Sequence, residues 1–221
     1  MTTQPTVYVV DDDPSIRDAI RCVVASISLP VETFASCEEF LQVYTPGAPG
    51  CLVLDVRLPG MGGFELQEKL ADELIAIPII LITGYGEVSM AVRAIKNGAT
   101  DFLTKPFGDQ DLLDSVRQAL DSDAVARDRQ ARVLAIAERY ERLTSREREV
   151  MALVIAGKAN KVIAAELGVS CKTVEGHRSR VMEKMEADSL PALVRMGVAM
   201  EVTGTTPQGC MGKRPCTALL V

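Results

Sequence analysis

Histidine is almost absent from this chain: there is one, His177, in 221 residues. Inside a helical stretch it reads as a packed side chain or a phosphate contact and not as half of a catalytic pair. The six cysteines, at 22, 37, 51, 171, 210 and 216, have neither disulfide-framework nor metal-ligand spacing, so they read as reduced thiols. Polar residues follow Met1, so no signal peptide is expected. Long apolar runs are missing too. The longest, Ile75 to Ile82, is short and contains Pro78, so no stretch is expected to span a membrane. Glycine and proline do not occur between Gly108 and Gly157, which favours a long helix over a loose tether there. With these classes excluded, 48% hydrophobic and 24% charged residues read as a soluble globular protein, long enough for one large or two ordinary domains, and the reduced thiols point to a cytoplasmic setting as the expectation.

The net charge of −6 is unevenly spread. Positions 1 to 120 carry 17 acidic and 8 basic residues, whereas positions 142 to 203 carry 10 basic and 8 acidic. An acidic front and a slightly basic back imply different partners, with nucleic acid reserved for the back.

From the amino end, five apolar strand candidates alternate with five helical patterns. The expected strands are 6–10, 31–34, 51–54, 77–82 and 100–103. The helices between them are 14–28, 37–44, 64–74 and 87–97, and a fifth begins near Asp109. Pro14 suits a first helical turn, Ser36 and Glu39 suit a capping box, and Gly98 suits a helix stop. Such alternation means parallel strands with right-handed crossovers, and ligands then gather beyond the carboxyl ends of the strands. That edge collects Asp11, Asp12 and Asp13, then Asp55, Thr83 and Lys105. Clustered carboxylates raise one another's pKa unless a cation sits among them, and hard oxygen ligands suit Mg²⁺. The plainer alternative is that each acidic residue starts a loop or caps a helix. Asp13 is as well placed to begin the first helix as to touch metal.

The segments VVDDD ending at 13, LVLDVRLPGMGG at 52–63, LITGYG at 81–86 and DFLTKPF at 101–107 resemble the receiver domain of two-component response regulators. The resemblance implies a flavodoxin-like α/β fold with strand order 2-1-3-4-5. It also implies Asp55 as acceptor of a phosphoryl group from a sensor histidine kinase. Mg²⁺, with Mn²⁺ an alternative, would be held by Asp11, Asp12, Asp55 and the backbone carbonyl of Arg57, Asp11 acting partly through water. Lys105 would pair with Asp55 at rest and with phosphate afterwards, aimed by a cis peptide bond before Pro106. Thr83 and the aromatic at 102 would form the switch. Many receivers have Tyr at that position; here it is Phe102, so its rotation would be driven by apolar burial and not by a hydroxyl.

Beyond Ser122 an apolar pattern continues to about 141 as a helical linker. Residues 143 to 200 lose strand signals, and helices are expected over 145–156, 160–167, 171–185 and 190–200. Thr144 and Ser170 are expected caps, and Gly157 and Gly168 are expected stops. Two helices joined by Leu167-Gly168-Val169-Ser170 make a helix-turn-helix. LTSREREV at 143–150, GKANKVIAAELGVS at 157–170 and TVEGHRSRVMEKM at 173–185 resemble LuxR-type DNA-binding domains. With the receiver in front, the whole chain resembles the FixJ-type branch of the NarL/FixJ response regulators.

Val174, Val181 and Met185 are expected to face the core. Lys172, Thr173, Glu175, Gly176, Arg178 and Ser179 would then face DNA, and of the charged and polar groups Lys172, Arg178, Arg180, Asn160 and Lys161 are placed for phosphates. A positive excess of only two makes a weak grip, so DNA binding is expected from a dimer formed on phosphorylation, with RNA polymerase as a further partner. The expected parts are a receiver at 1–122, a linker at 123–141, a four-helix all-α domain at 142–202 and a disordered tail at 203–221. The expected role is a regulator that activates transcription and not an enzyme. The rivals are an Mg²⁺-dependent aspartyl-phosphate phosphatase and a LuxR-type regulator that senses a small ligand.

Overall fold

The computed structural model describes residues 4–84 and 88–202. The expected disorder of the tail, Cys210 and Cys216, and the loop residues Tyr85, Gly86 and Glu87 lie outside the described residues. The chain divides into two compact units, Met1–Arg127 and Asp128–Val221.

In the first unit, five parallel strands stand in the order β2-β1-β3-β4-β5: β1 (Thr6–Val10), β2 (Val31–Phe34), β3 (Gly50–Asp55), β4 (Ile79–Thr83) and β5 (Asp101–Thr104). The connections are α1 (Pro14–Ala25), α2 (Cys37–Val43), α3 (Gly63–Asp72) and α4 (Val88–Lys96), and α5 (Asp109–Glu141) follows β5. Side chains alternate along each strand and both faces are covered, so the strands read as unbroken apolar runs. Tyr8, Val10, Leu52, Leu54 and Leu81 enter one core layer with Phe40 and Leu66. Val7, Val9, Val53, Ile80 and Ile82 enter the other with Ile20, Leu112 and Val116.

Local chemistry sets the helix starts. Asp13 accepts from Ser15 N at 2.8 Å and so caps α1. Ser36 accepts from Glu39 N at 3.2 Å, but the Glu39 carboxylate returns to Ala35 N and not to the cap residue's own N–H, so the expected box is displaced by one residue. α1 stops at Ala25, earlier than its apolar spacing suggests, and Ser28 beyond it adopts φ 60°. Cys37 and Cys51 are buried, and burial pushes both thiols up to about 12. They fill the core as unreactive side chains.

The helical continuation of α5 is one unbroken element of 33 residues. Its residues 123 and 127 are fastened to the first unit. Asp123, 4% exposed, accepts from Gly50 N at 3.1 Å and from Arg127 Nε at 2.6 Å. Arg127 also donates to the carbonyls of Gly47 and Ala48. Removing the guanidinium leaves a buried carboxylate without its cation. Arg127→Ala is therefore expected to cost the first unit about 3 kcal/mol in urea unfolding. Arg127→Lys should recover part of it, because an ammonium can reach Asp123 without reproducing the fork.

The second unit holds α6 (Ser145–Ile155), α7 (Asn160–Leu167), α8 (Cys171–Met185) and α9 (Leu190–Val202). Val150, Val154, Ile163, Val174, Val181, Met185 and Leu193 form its core, with Ile136 and Tyr140 of α5 packed against it. α7 ends at Gly168, whose φ of 65° is left-handed, and Ser170 caps α8 by accepting from Thr173 N at 3.1 Å. Thr144 and Glu147 close the expected capping box on α6. Glu147 also takes a 2.7 Å bond from Lys184. That bond, with those of Thr144, holds the Glu147 carboxyl down at about 2, against an ordinary 4.5.

Because the folded state favours the charged form, the unfolded chain binds the proton first as pH falls. The stabilisation is present above about pH 4.5 and is lost towards pH 2. Acid unfolding of Glu147→Gln, followed by circular dichroism, should therefore be less steep across that window than wild type.

Candidate functional site

The register of the sheet brings the polar edge together. Val10 pairs with Leu54, Asp55 with Ile82, and Thr83 with Thr104, so the strand ends lie level. The strand order reverses direction between β1 and β3, which places the residues after Val10 beside Asp55 at the topological switch point. Asp11 is fully buried, Asp55 is 6% exposed and Asp12 is exposed. One carboxylate oxygen from each of the three lies within 4.8 Å of the others.

Lys105 closes the group from the far side. Its backbone N–H donates to Thr83 O at 2.7 Å, which ties the loop after β5 to the end of β4. Its Nζ lies 2.6 Å from both Asp11 Oδ2 and Asp55 Oδ2. The Lys105–Pro106 peptide is cis. Burial pulls the ammonium's pKa down, but the bonds to Asp11 and Asp55 more than offset this and leave it above the ordinary lysine value. Burial raises the Asp11 carboxyl, against the lowering effect of Lys105 and of the Asp13 N–H.

Asp55 Oδ1 accepts from Arg57 N at 3.0 Å, so its two oxygens are held by different donors. Three carboxylates against one ammonium leave an excess of negative charge. The cluster is an all-oxygen donor set that fits a hard divalent cation.

Thr83 is fully buried at the end of β4. Phe102 is half-buried, packed against the layer containing Leu81 and Ala94. Asp13, left open between two roles, is the helix cap. Gly63, Arg17, Asp123 and Arg127 carry no role legible from the chain alone. Gly63 stood inside a quoted motif, but no pattern in the chain marked the other three.

In the second unit, Val174, Val181 and Met185 turn inward as their spacing on the helix requires. Lys172, Thr173, Glu175, Gly176, Ser179 and Arg180 on α8 and Lys161 on α7 are exposed. Arg178 is half-buried and donates to Asn160 Oδ1 at 2.7 Å, which links two expected phosphate contacts across α7 and α8. Arg146 donates to Leu167 O and to Glu149, holding the start of the turn. His177 is half-buried, with its Nδ1 enclosed and without a hydrogen-bond partner, which places it among packed side chains. Among the described residues, no helix is long and apolar enough to cross a membrane.

A doubly wound sheet with an acidic, lysine-closed switch point, followed by a helix-turn-helix unit, defines a receiver joined to a DNA-binding domain. The chain belongs to the response regulators of this build: residues 7–117 match the response regulator receiver domain and residues 141–197 the bacterial regulatory proteins of the luxR family. Nodulation protein W of Bradyrhizobium diazoefficiens is 46% identical over 202 residues, covering 91% of this chain and 89% of that protein. The transcriptional regulatory protein FixJ of the same organism is 40% identical over 198 residues, covering 90% and 97%. The solved structure of the response regulator StyR matches with a TM-score of 0.80 at 44% identity, covering 89% of this chain and 99% of that one. These relatives place the chain in the FixJ-like branch of two-component transcriptional regulators, with a flavodoxin-like receiver and a helical DNA-binding domain.

Proposed function

We propose that Asp55 accepts a phosphoryl group from a phosphohistidine of a sensor histidine kinase, and that this promotes dimerisation and activation of transcription from promoter DNA. The observation that carries the reading is the Lys105 ammonium held 2.6 Å from both Asp11 and Asp55. A cation already paired with the acceptor carboxylate is positioned to follow the charge when that carboxylate becomes an acyl phosphate. The Asp55 oxygen attacks phosphorus in line, the O–P bond forms, the P–N bond of the donor breaks, and the imidazole leaves with the bonding pair.

Asp11, Asp12, Asp55 and the carbonyl of Arg57 would hold Mg²⁺, or Mn²⁺ in its place. When bound, the ion supplies positive charge against the equatorial phosphoryl oxygens. The chain turns over only its own acyl phosphate and not an outside phosphoester.

Thr83 would donate its hydroxyl to the phosphoryl group and draw its loop inward. Phe102, already half-buried, would then complete its burial, a gain of about 1 kcal/mol, part of what burying the whole side chain is worth. A shift of this size biases a pre-existing two-state equilibrium. The receiver would occupy 1–122, the linker 123–141 and the DNA-binding domain 142–202, in a cytoplasmic protein that also meets RNA polymerase.

On DNA, Glu175 is suited to a cytosine amino group, and Gly176 leaves room for a base edge or methyl. Lys172, Thr173, Arg178, Ser179, Arg180, Asn160 and Lys161 would meet phosphates and neighbouring edges. Dimerisation doubles these contacts and reads paired half-sites.

The test is incubation with Mg²⁺ and a small labelled phosphodonor, followed by footprinting on the upstream DNA of its own operon. Wild type should take up label and gain promoter occupancy and dimer content, while Asp55→Asn should do neither. Label on wild type without any change in occupancy or dimer content would refute the coupling, and absence of label would refute the acceptor role.

A further inference from the structure

Arg17 lies one turn inside α1, outside the cluster of carboxylates, and its side chain runs back towards the helix start as helical geometry favours. Its Nη1 donates to Asp11 O at 2.7 Å and to Asp12 O at 3.0 Å. The peptide unit between Asp12 and Asp13 is thereby held at both ends. Its carbonyl faces Arg17, and its N–H, pointing the opposite way, donates to Asp11 Oδ1 at 2.9 Å. The other oxygen of Asp11 takes the Lys105 ammonium. An unbroken chain of bonds thus runs from the guanidinium, through one planar peptide, to the carboxylate of the deepest acidic residue.

We propose that Arg17 is a positioning residue for the divalent cation site, acting through the 12–13 peptide plane to set the direction of the Asp11 carboxylate and the backbone that carries Asp12. The inference rests on the metal-dependent acceptor reading above and adds to it a residue outside the ligand set. Supporting groups of this kind commonly contribute about 10-fold or more to metal affinity.

The competing description is that Arg17 is only a nearby positive charge, and the two differ in sign. A bystander cation repels a divalent ion, so its removal would tighten metal binding. Loss of a positioning group weakens it.

The experiment is titration of the full-length chain with Mn²⁺, with free ion counted by electron paramagnetic resonance, and with Mg²⁺ by calorimetry, at constant ionic strength. Wild type, Arg17→Ala, Arg17→Lys and Asp12→Asn are compared. Arg17→Ala should bind about 10-fold more weakly. Arg17→Lys, which keeps a donor able to reach one carbonyl, should recover part of that loss. Equal or tighter binding by Arg17→Ala overturns the inference while leaving the parent reading intact. A wild type that binds neither ion, or an Asp12→Asn variant that binds as well as wild type, overturns the parent reading itself. Circular dichroism melts check folding. If Arg17→Ala does not fold, Arg17→Lys decides the matter, since weaker binding than wild type supports the inference and unchanged binding overturns it.

Discussion

Lys105→Met is expected to lower the stability of the receiver by about 3 kcal/mol in metal-free buffer and to slow phosphoryl uptake by about 100-fold. The methionine keeps the apolar stem but removes the one ammonium that lies 2.6 Å from both Asp11 and Asp55. Asp11 is then a fully buried carboxylate whose remaining donor from the described bonds is the Asp13 N–H. Breaking a buried pair from one side costs more than the pair was worth, because the remaining charge stays desolvated.

Two features separate this explanation from simple loss of packing. Mg²⁺ should stabilise the variant more than it stabilises wild type, since the ion replaces the missing positive charge. The loss should also shrink at lower pH. Burial already raises the Asp11 carboxyl, and without Lys105 it rises further. A group whose folded pKa lies above its unfolded one contributes stability below the unfolded value and loses it as pH rises through the folded value. Urea unfolding at several pH values, with and without Mg²⁺, reads both effects. A variant with an unchanged midpoint at pH 8 without metal would contradict the account.

Gly63→Ala should be nearly as damaging, although it adds only one methyl group and changes no charge. A Cβ at Gly63 would lie 2.3 Å from Asp55 O and 3.0 Å from Val56 Cα, both backbone atoms that no rotamer change can move aside. The amino end of α3, held there by the bond from Gly63 N to Val56 O at 3.1 Å, must therefore withdraw from the end of β3. Overpacking of this kind costs about 1–3 kcal/mol, and with Asp55 as the proposed acceptor, a displacement of about 1 Å there can cost about 100-fold in rate. The neighbouring glycine supplies the control. At Gly62 the nearest contact of a Cβ would be Val56 O at 3.5 Å, an ordinary approach. Gly62→Ala should keep its phosphorylation rate within about two-fold of wild type, as surface substitutions usually do. Equal rates for the two alanine variants would refute the steric argument.

The strands, the helices of both units and the identity of the acidic edge were legible in the chain because each rests on local chemistry. Apolar runs bounded by turn residues mark buried parallel strands, and the hydroxyl caps at Ser36, Thr144 and Ser170 mark helix starts. The boundaries at Ala25 and Gly63 were less legible, since α1 ends within a run of apolar spacing and α3 begins on a glycine that resembles loop. Asp13 stood between two roles until its bond to Ser15 N decided them.

What the chain alone could not reveal is every contact made across a large sequence separation. Arg127 looks like one of several arginines on a solvated helix, and only folding brings the 47–50 loop beneath it. Arg178 and Asn160 read as independent phosphate contacts until the packing of α7 on α8 joins them.

By itself, the sequence determined the two-part construction and the kinds of side chain at the switch point, because strand and helix periodicity and the capping residues act within a few positions of one another. Only the tertiary structure decided how those side chains are held: Lys105 shared between Asp11 and Asp55, Gly63 pressed against the backbone of Asp55, and Arg127 laid onto the carbonyls of Gly47 and Ala48. These are distances between atoms from separate segments, set when the sheet closes its register, and no spacing along the chain encodes them.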